Sequence, residues 1–553
     1  MKKLLSLALM LCIIIALAAG CGTDAEKSPS PEPTSTPAKT DTPAQSDTGG
    51  QEEDIPQVTY PLVDEPTTFT CWWQLDVQDV PDLAETQYFK EAAKVTGVTL
   101  KFEHPSGASG EAFQLMMAAQ DYPNMIQRFY NNYRQGVDFA IENDVVMPLN
   151  DYTEYMPNYM ALINGNDEIK LNCYSDNGYL WCINQIVDKP QDPWCGPTAR
   201  KDLLDKVGYT KTPITVDDWE EMLTLLKDNI PSLSTGPFQL CAHGATSVCG
   251  TLTSAYGVDQ IGNFNIRDGK VFYSVLEPGF KDYLIKMNDW WNKGLIYNDF
   301  ISEGFVYGPF NLVLNDKLAV FDSIYNFYDT NYKAASENPD FLLIGIPLPK
   351  LNPNDKLHVR NSNGWCRLDN ALVITPTCEN IPVACAYWDF AFSEQGKILG
   401  NWGVEGVSFE YDENGEPRYT DLVMKDANGP QSGMTKYVLF NAPGFCIPTR
   451  EQQGLTDITN QAPITWVQSA DNDWVYPAGA VLTSEEGSEF SALFTDIRSF
   501  VQENVNNFVM GNKPLSEYDS FINELKNMGI YRCIELKQAA ADRYYNRLNV
   551  IKD

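Results

Sequence analysis

The sequence predicts an α/β protein built from more than one lobe, on three observations. Between Thr67 and Tyr130 the chain alternates strand-like and helix-like segments at short spacing, the pattern of an open parallel sheet covered by helices. The body after residue 57 is too long for one core, and the chain's 43% apolar and 12% aromatic content is that of an ordinary globular protein. Further on, amphipathic helices carry their own start and stop signals.

The elements follow in order. "TTFTCWWQL" from Thr67 to Leu75 reads as a strand, "DLAETQYFKEAAKVTG" as a helix, and "VTLKFEH" as a second strand. A helical "EAFQLMMAAQ" comes next, and after the turn "DYP" a third apolar segment, "NMIQRFY". Ligands of open α/β sheets bind beyond the carboxyl ends of the strands. That rule puts Trp72 and Trp73, together with Asn124 to Tyr130, near a cleft. In "PITVDDWEEMLTLLKDNIP", Thr215 and Asp218 have capping-box spacing, Ile214 is placed to staple onto Trp219, and Trp219, Met222, Leu223, Leu226 and Ile230 form one apolar stripe. Near the C-terminus Phe490, Leu493, Phe494, Ile497, Val501, Val505 and Phe508 recur at helical spacing, so one face of a long helix is expected to be buried. Gly511 and Pro514 should end it, with Ser516 and Asp519 capping a further helix that stops at Gly529.

The N-terminus has a different character. Met1-Lys2-Lys3 precedes the uncharged run "LLSLALMLCIIIALAAG", the arrangement of a secretory signal peptide over residues 1–20. The small residues Ala18, Ala19 and Gly20 before Cys21 look like a bacterial lipobox, in which the cysteine is acylated and becomes the mature N-terminus; Leu17 stands one step outside the usual leucine position. Fatty acylation, palmitate included, would hold the chain at the membrane at about 0.8 kcal/mol per buried CH₂. Residues 21–57, rich in Pro, Ser, Thr and acidic groups, cannot bury enough surface to fold and read as an extended tether.

The chain has 74 Asp and Glu against 40 Lys and Arg, a formal charge of −34 that becomes −36 once Lys2 and Lys3 leave with the signal peptide. That balance argues against nucleic acid as a partner. Of 13 cysteines, Cys12 and Cys21 belong to the leader and anchor, and the odd number left requires an unpaired thiol. Cys173/Cys182 and Cys241/Cys249 are spaced for small-loop disulfides or stand as buried thiols. No CxxC or HExxH occurs, His104, His243 and His358 lie far apart, and "YDENGEP" lacks the register of a calcium loop and suits a hairpin turn, so no metal or other cofactor is expected. There is also no P-loop and no GxSxG elbow.

Several segments resemble one family: "YPNMI", "VVMPLNDY", "ARKDLLDKVGYTKTPITVDDWEEML" with Leu203 where a Trp is usual, "NWGVEGVSFEYDENGEPRYTD" and "FVMGNKPLSEYDSFINELKNMGI". In this order they resemble the extracellular solute-binding lipoproteins of family 1, in the long form found beside ATP-binding-cassette sugar importers of Gram-positive bacteria. The resemblance implies a two-lobed periplasmic-binding-protein-like fold of type II, with residues 58–185 and 358–410 in lobe 1, and 186–357 and 411–553 in lobe 2 with the C-terminal helices. It further implies a monomer outside the cytoplasmic membrane, lipid-anchored through Cys21, with a carbohydrate ligand and a membrane permease as partners and no enzymatic activity.

Sugars stack their C–H faces on aromatic rings and need polar partners for their hydroxyls. Candidate ligand-binding residues are Trp72, Trp73, Asn124, Tyr130, Trp181, Trp365, Trp402 and Glu405, the last two from the segment with the family pattern. Each has a plainer alternative: a tryptophan is commonly core, Glu405 suits a loop anchor, and Asn124 suits a turn after Pro123. A surface glycoside hydrolase, using a pair of carboxylates, is the second reading.

Overall fold

The computed structural model describes residues 58–74, 80–105, 109–190, 192–240, 251–302, 309–360, 362–468 and 470–551. The signal segment, the tether, Cys21 and the Cys241/Cys249 pair lie outside the described residues.

The first lobe is built on β1 (Thr67–Trp72), β2 (Val98–Glu103), β3 (Met125–Gln127) and β4 (Ile183–Val187). β1 pairs in parallel with both β2 and β3, as the alternation of strand and helix predicts. β2 alternates buried and exposed residues because only one of its faces meets the core, whereas β4 is buried throughout. The helix Gln87–Thr96 connects β1 to β2, and Gly97, at φ 76°, ends it in the left-handed conformation.

The second lobe begins with β5 (Cys195–Arg200) and continues through the hairpin β6 (Phe264–Arg267) and β7 (Lys270–Tyr273), then β8 (Val320–Ile324) and β9 (Leu343–Gly345). β5 is the centre of a three-stranded antiparallel sheet, β8-β5-β9. The helix Asp457–Val467 packs flat on that sheet. A Cβ on Gly196 would lie 2.4 Å from the Trp466 ring and one on Gly345 2.6 Å from the Ala462 Cβ, so both strands need glycine there.

After β9 the chain returns to lobe 1 as β10 (Cys366–Ile374), antiparallel to both β3 and β4. The hairpin β11 (Phe409–Tyr411) and β12 (Pro417–Tyr419) follows, and then β13 (Gly444–Cys446), which pairs in parallel with β4. The first sheet is therefore six-stranded, β13-β4-β10-β3-β1-β2. Residues from 411 to 446, expected in lobe 2, lead into a strand of the lobe 1 sheet. The reason is a pairing between residues about 260 apart in the chain, Gln185 and Gly444, which no local pattern reveals.

The expected helices form. Thr215 and Asp218 make a reciprocal capping box for Val216–Asn229, and Trp219, Met222, Leu223, Leu226 and Ile230 enter one large core. Ile214 stays 39% exposed. The long helix Ser484–Met510 buries Ile497, Val501, Val505 and Phe508, with Gly511 as its left-handed cap. The next helix, Tyr518–Asn527, starts from a 3₁₀ turn at Leu515–Glu517 rather than from a Ser516 cap, because the turn continues directly into it. The last helix, Ile530–Val550, spans both lobes: Ile530 and Cys533 join the lobe 2 core, while Arg547 reaches Leu171 and Asp176 of lobe 1. Among the described residues no helix is long and apolar enough to cross a membrane.

Candidate functional site

The chain passes from the first sheet to the second between β4 and β5, returns between β9 and β10, and crosses again at 447–456. The last crossing is fixed by Arg450, whose buried guanidinium donates to the carbonyls of Gly400 and Leu439 and to Asn401 Oδ1 at 2.8–3.0 Å. Between the lobes these crossings leave a cavity of about 850 Å³, within the range of small-molecule sites.

Its walls come from both lobes. Lobe 1 contributes Tyr130, Glu168, Arg367 and Asn441, and lobe 2 contributes Trp194, Asn326 and Phe327. The turn around Tyr476 and the C-terminal residues Tyr544 and Tyr545 close one side. Aromatic rings therefore alternate with amide, guanidinium and carboxylate groups, the combination that sugars require. Trp194 is 37% exposed, so its ring is available to stack.

The position of Tyr130 follows from the parallel sheet. β3 ends at Gln127, Arg128 turns in the left-handed region at φ 57°, and the short helix Phe129–Asn132 brings Tyr130 to the cavity. Burial pushes its phenol up to about 12, so it remains a neutral donor, and it donates to the Ala478 carbonyl. Trp181 lies behind it, ring centroids 6.0 Å apart. Glu168 Oε1 accepts the backbone N–H of Trp365 at 3.1 Å, which holds the wall strand in place.

The other sequence candidates are placed differently. Trp72 is buried against Phe113, and Trp73 is enclosed by Phe89, Phe102 and Trp388. Asn124 lies at the start of β3, where its amide oxygen accepts from Thr70 N–H and its amide nitrogen donates to the Thr377 carbonyl, joining β1 to the end of β10. Trp365 is half-buried and packs toward the lobe 1 core, between Gly364 and Cys366, which do line the cavity. Trp402 packs on Tyr419 at 5.2 Å, and Glu405 is exposed beside the β11–β12 hairpin. Of the set, the structure brings Tyr130 to the cavity, with Trp181 directly behind.

Trp194, Phe327, Tyr476 and Tyr544 escaped the sequence reading. Trp194 carried a usable signal: it stands in "PQDPWCGP", a proline-bracketed crossing immediately before a strand. Tyr476 and Tyr544 carried none, since one lies in a loop and the other on the last helix.

Other features account for themselves structurally. Nine described cysteines, among them Cys173 and Cys182, are buried free thiols; Cys173 Sγ lies 3.2 Å from the Tyr159 hydroxyl. His358, Asp471 and Asp473 bring ligand atoms within 4.8 Å of one another. His358 Nδ1 is 3.0 Å from Asp471 Oδ2, and Asp471 Oδ1 accepts the Asp473 N–H, a loop-holding arrangement. A second surface cavity of about 570 Å³ is lined by Glu85, Lys90, Lys94 and Lys436, all of lobe 1, and no lobe 2 residue reaches it.

The chain is thus a two-lobed α/β protein with a cavity between its lobes. No family model matches the chain. It is 21% identical over 536 residues, 89% of this chain and 93% of the other, to the fructooligosaccharide ABC transporter substrate-binding protein FusA of Streptococcus pneumoniae serotype 4. Among solved structures, an HMO-binding, ABC-transporter-associated solute-binding protein of Bifidobacterium longum infantis superposes with a TM-score of 0.72 at 14% identity, covering 87% of this chain and 99% of that one. The alginate-binding protein AlgQ2 gives 0.68 at 22% identity, over 88% of this chain and 100% of its own.

Proposed function

We propose that this protein is the solute-binding component of an ATP-binding-cassette importer and captures a sugar or oligosaccharide between its lobes. The observation that carries the reading is the cavity of about 850 Å³ walled by residues of both lobes, aromatic and polar in alternation. Relatives that span almost the whole chain are named as binding proteins for fructooligosaccharide, alginate and HMO.

Capture works through the two-lobed geometry. A ligand that touches Tyr130 on one side and Trp194 on the other makes its full set of contacts only when the lobes are close, so it selects the closed state. The closed pair presents a different surface to the permease than the open pair does. In this reading Cys21 carries the lipid that holds the protein outside the cytoplasmic membrane, residues 21–57 give reach, the protein acts as a monomer, and the permease complex supplies ATP hydrolysis. The chain itself catalyses nothing.

The test is thermal unfolding of the detergent-solubilised full chain against a panel of mono- and oligosaccharides, each recovered afterwards and analysed for cleavage. A ligand at 100 times its Kd stabilises by about 2.7 kcal/mol. A raised midpoint with intact sugar is expected; a cleaved sugar, or no shift across the panel, contradicts the proposal.

A further inference from the structure

A third cavity, of about 440 Å³, adjoins the cleft and shares Arg360, Val475 and Tyr476 with it. Its floor is aromatic. Phe264, Phe490 and Phe494 lie with ring centroids 4.9–5.6 Å apart and are half-buried, not sealed into the core as the helical stripe of Ser484–Met510 suggests. Its wall is cationic. Lys537 Nζ stands over the Phe490 and Tyr476 rings at 5.1 and 5.2 Å, and Arg360 faces the same space.

Carboxylates outnumber basic groups 74 to 40 in the chain, and the arginines of the neighbouring last helix are paired with them: Arg532 with Glu489, Arg543 with Glu486, and Arg547 with Asp176. Arg360 and Lys537, with Arg367 in the adjoining cleft, make no ion pair and no side-chain hydrogen bond among the described residues. Asp259, the acidic group of the chamber, is buried, which raises its carboxyl, while hydrogen bonds from Asn265 and Asn263 and the charge of Arg360 act to lower it. Burial likewise lowers the Lys537 ammonium. A partly desolvated cation without a partner costs free energy that an anionic ligand group offsets.

We propose that this chamber is a subsite at the end of the cleft that takes an acidic sugar unit, its C–H face on Phe490 and Phe494 and its carboxylate or sulfate between Lys537 and Arg360. The cargo is then an acidic oligosaccharide. This rests on reading the main cleft as an oligosaccharide site.

Isothermal titration of the full chain with a galacturonate tetrasaccharide, a chondroitin sulfate tetrasaccharide and a neutral galactose tetrasaccharide tests it, in the wild type and in Lys537→Met and Arg360→Gln, each checked for an unchanged unfolding midpoint. At least one acidic ligand should bind tenfold or more tightly than the neutral one, and either substitution should remove that advantage while leaving the neutral affinity within about twofold. Preference for the uronate alone assigns a carboxylate, and preference for the sulfated sugar alone a sulfate. Equal or tighter binding of the neutral sugar, or an acidic preference that survives both substitutions, overturns the subsite and leaves the capture reading standing. Binding of none of the three overturns the acidic subsite and leaves the capture reading to the wider sugar panel.

Discussion

Arg547 and Asp176 meet with Nη2 and Oδ1 2.7 Å apart, their side chains only 3% and 9% exposed. Arg543 donates to the other Asp176 oxygen at 2.9 Å and also grips Glu486. One carboxylate after the lobe 1 helix Asp167–Cys173 thereby fixes the last helix of the chain, whose first half belongs to lobe 2. Asp176→Ala leaves the nearly dry Arg547 guanidinium without its carboxylate and takes one of two from Arg543, which costs about 3 kcal/mol. Chemical denaturation should show that loss, and hydrogen exchange should quicken in the final turns of Ile530–Val550 before it does in Val216–Asn229.

Asp389 accepts from the Tyr159 N–H and from Asn158 Nδ2, yet burial pushes its carboxyl up to about 6 from an ordinary 3.8. The folded state therefore holds this proton more tightly than the unfolded chain does. Its contribution to stability is greatest below the unfolded value, falls as pH rises through the window between 3.8 and about 6, and is constant above it. A shift of this size corresponds to about 3 kcal/mol. The difference in stability between wild type and Asp389→Asn, from urea midpoints at pH 4 to 7, should change by that order across the window.

Glu220 has the opposite sign. Burial alone would raise it, but hydrogen bonds from Lys293, Trp290 and Lys286 outweigh that and hold it at about 2. It ties the helix Val216–Asn229 to Gly279–Asn292. Its stabilisation is complete above 4.5 and is lost as pH falls through the window toward 2. Glu220→Gln should cost about 2 kcal/mol at pH 7, and the gap to wild type should narrow in acid.

Thr215 accepts the Asp218 N–H at 3.1 Å while Asp218 accepts the Thr215 N–H at 2.9 Å. Thr215→Ala should lower the unfolding free energy by about 1 kcal/mol, read as a shift in the urea midpoint with no change in slope.

That cap marks what local sequence determines. Thr215 with Asp218, the Gly511 stop, the turn at Gly415 and the strand-helix alternation from Thr67 are legible because each is decided within a few residues. The place of β13 was not legible: three residues, Gly444–Cys446, join the first sheet through a partner strand far away in the chain. The tryptophans show the same division. Trp72 and Trp73 do stand at the end of β1, where the strand rule puts them, but Phe113, Phe89, Phe102 and Trp388 arrive from other elements and cover them. Which aromatic becomes core and which becomes platform is set by what packs over it. Trp194 stays open because it occupies the crossing between lobes, and Phe490 and Phe494 stay half-open because the long helix runs past the edge of its core.

The central claim is that the lobes close on an intact oligosaccharide. Leu115, 71% exposed on a lobe 1 helix, and Ile285, 46% exposed on a lobe 2 helix, suit cysteine substitution and spin labelling, because the nine described native thiols are buried. Pulsed electron resonance between the two labels, with and without a saturating oligosaccharide that raises the unfolding midpoint, measures the closure. The account predicts a shorter distance with ligand and sugar recovered uncleaved; an unchanged distance at saturation, or a cleaved sugar, would contradict it.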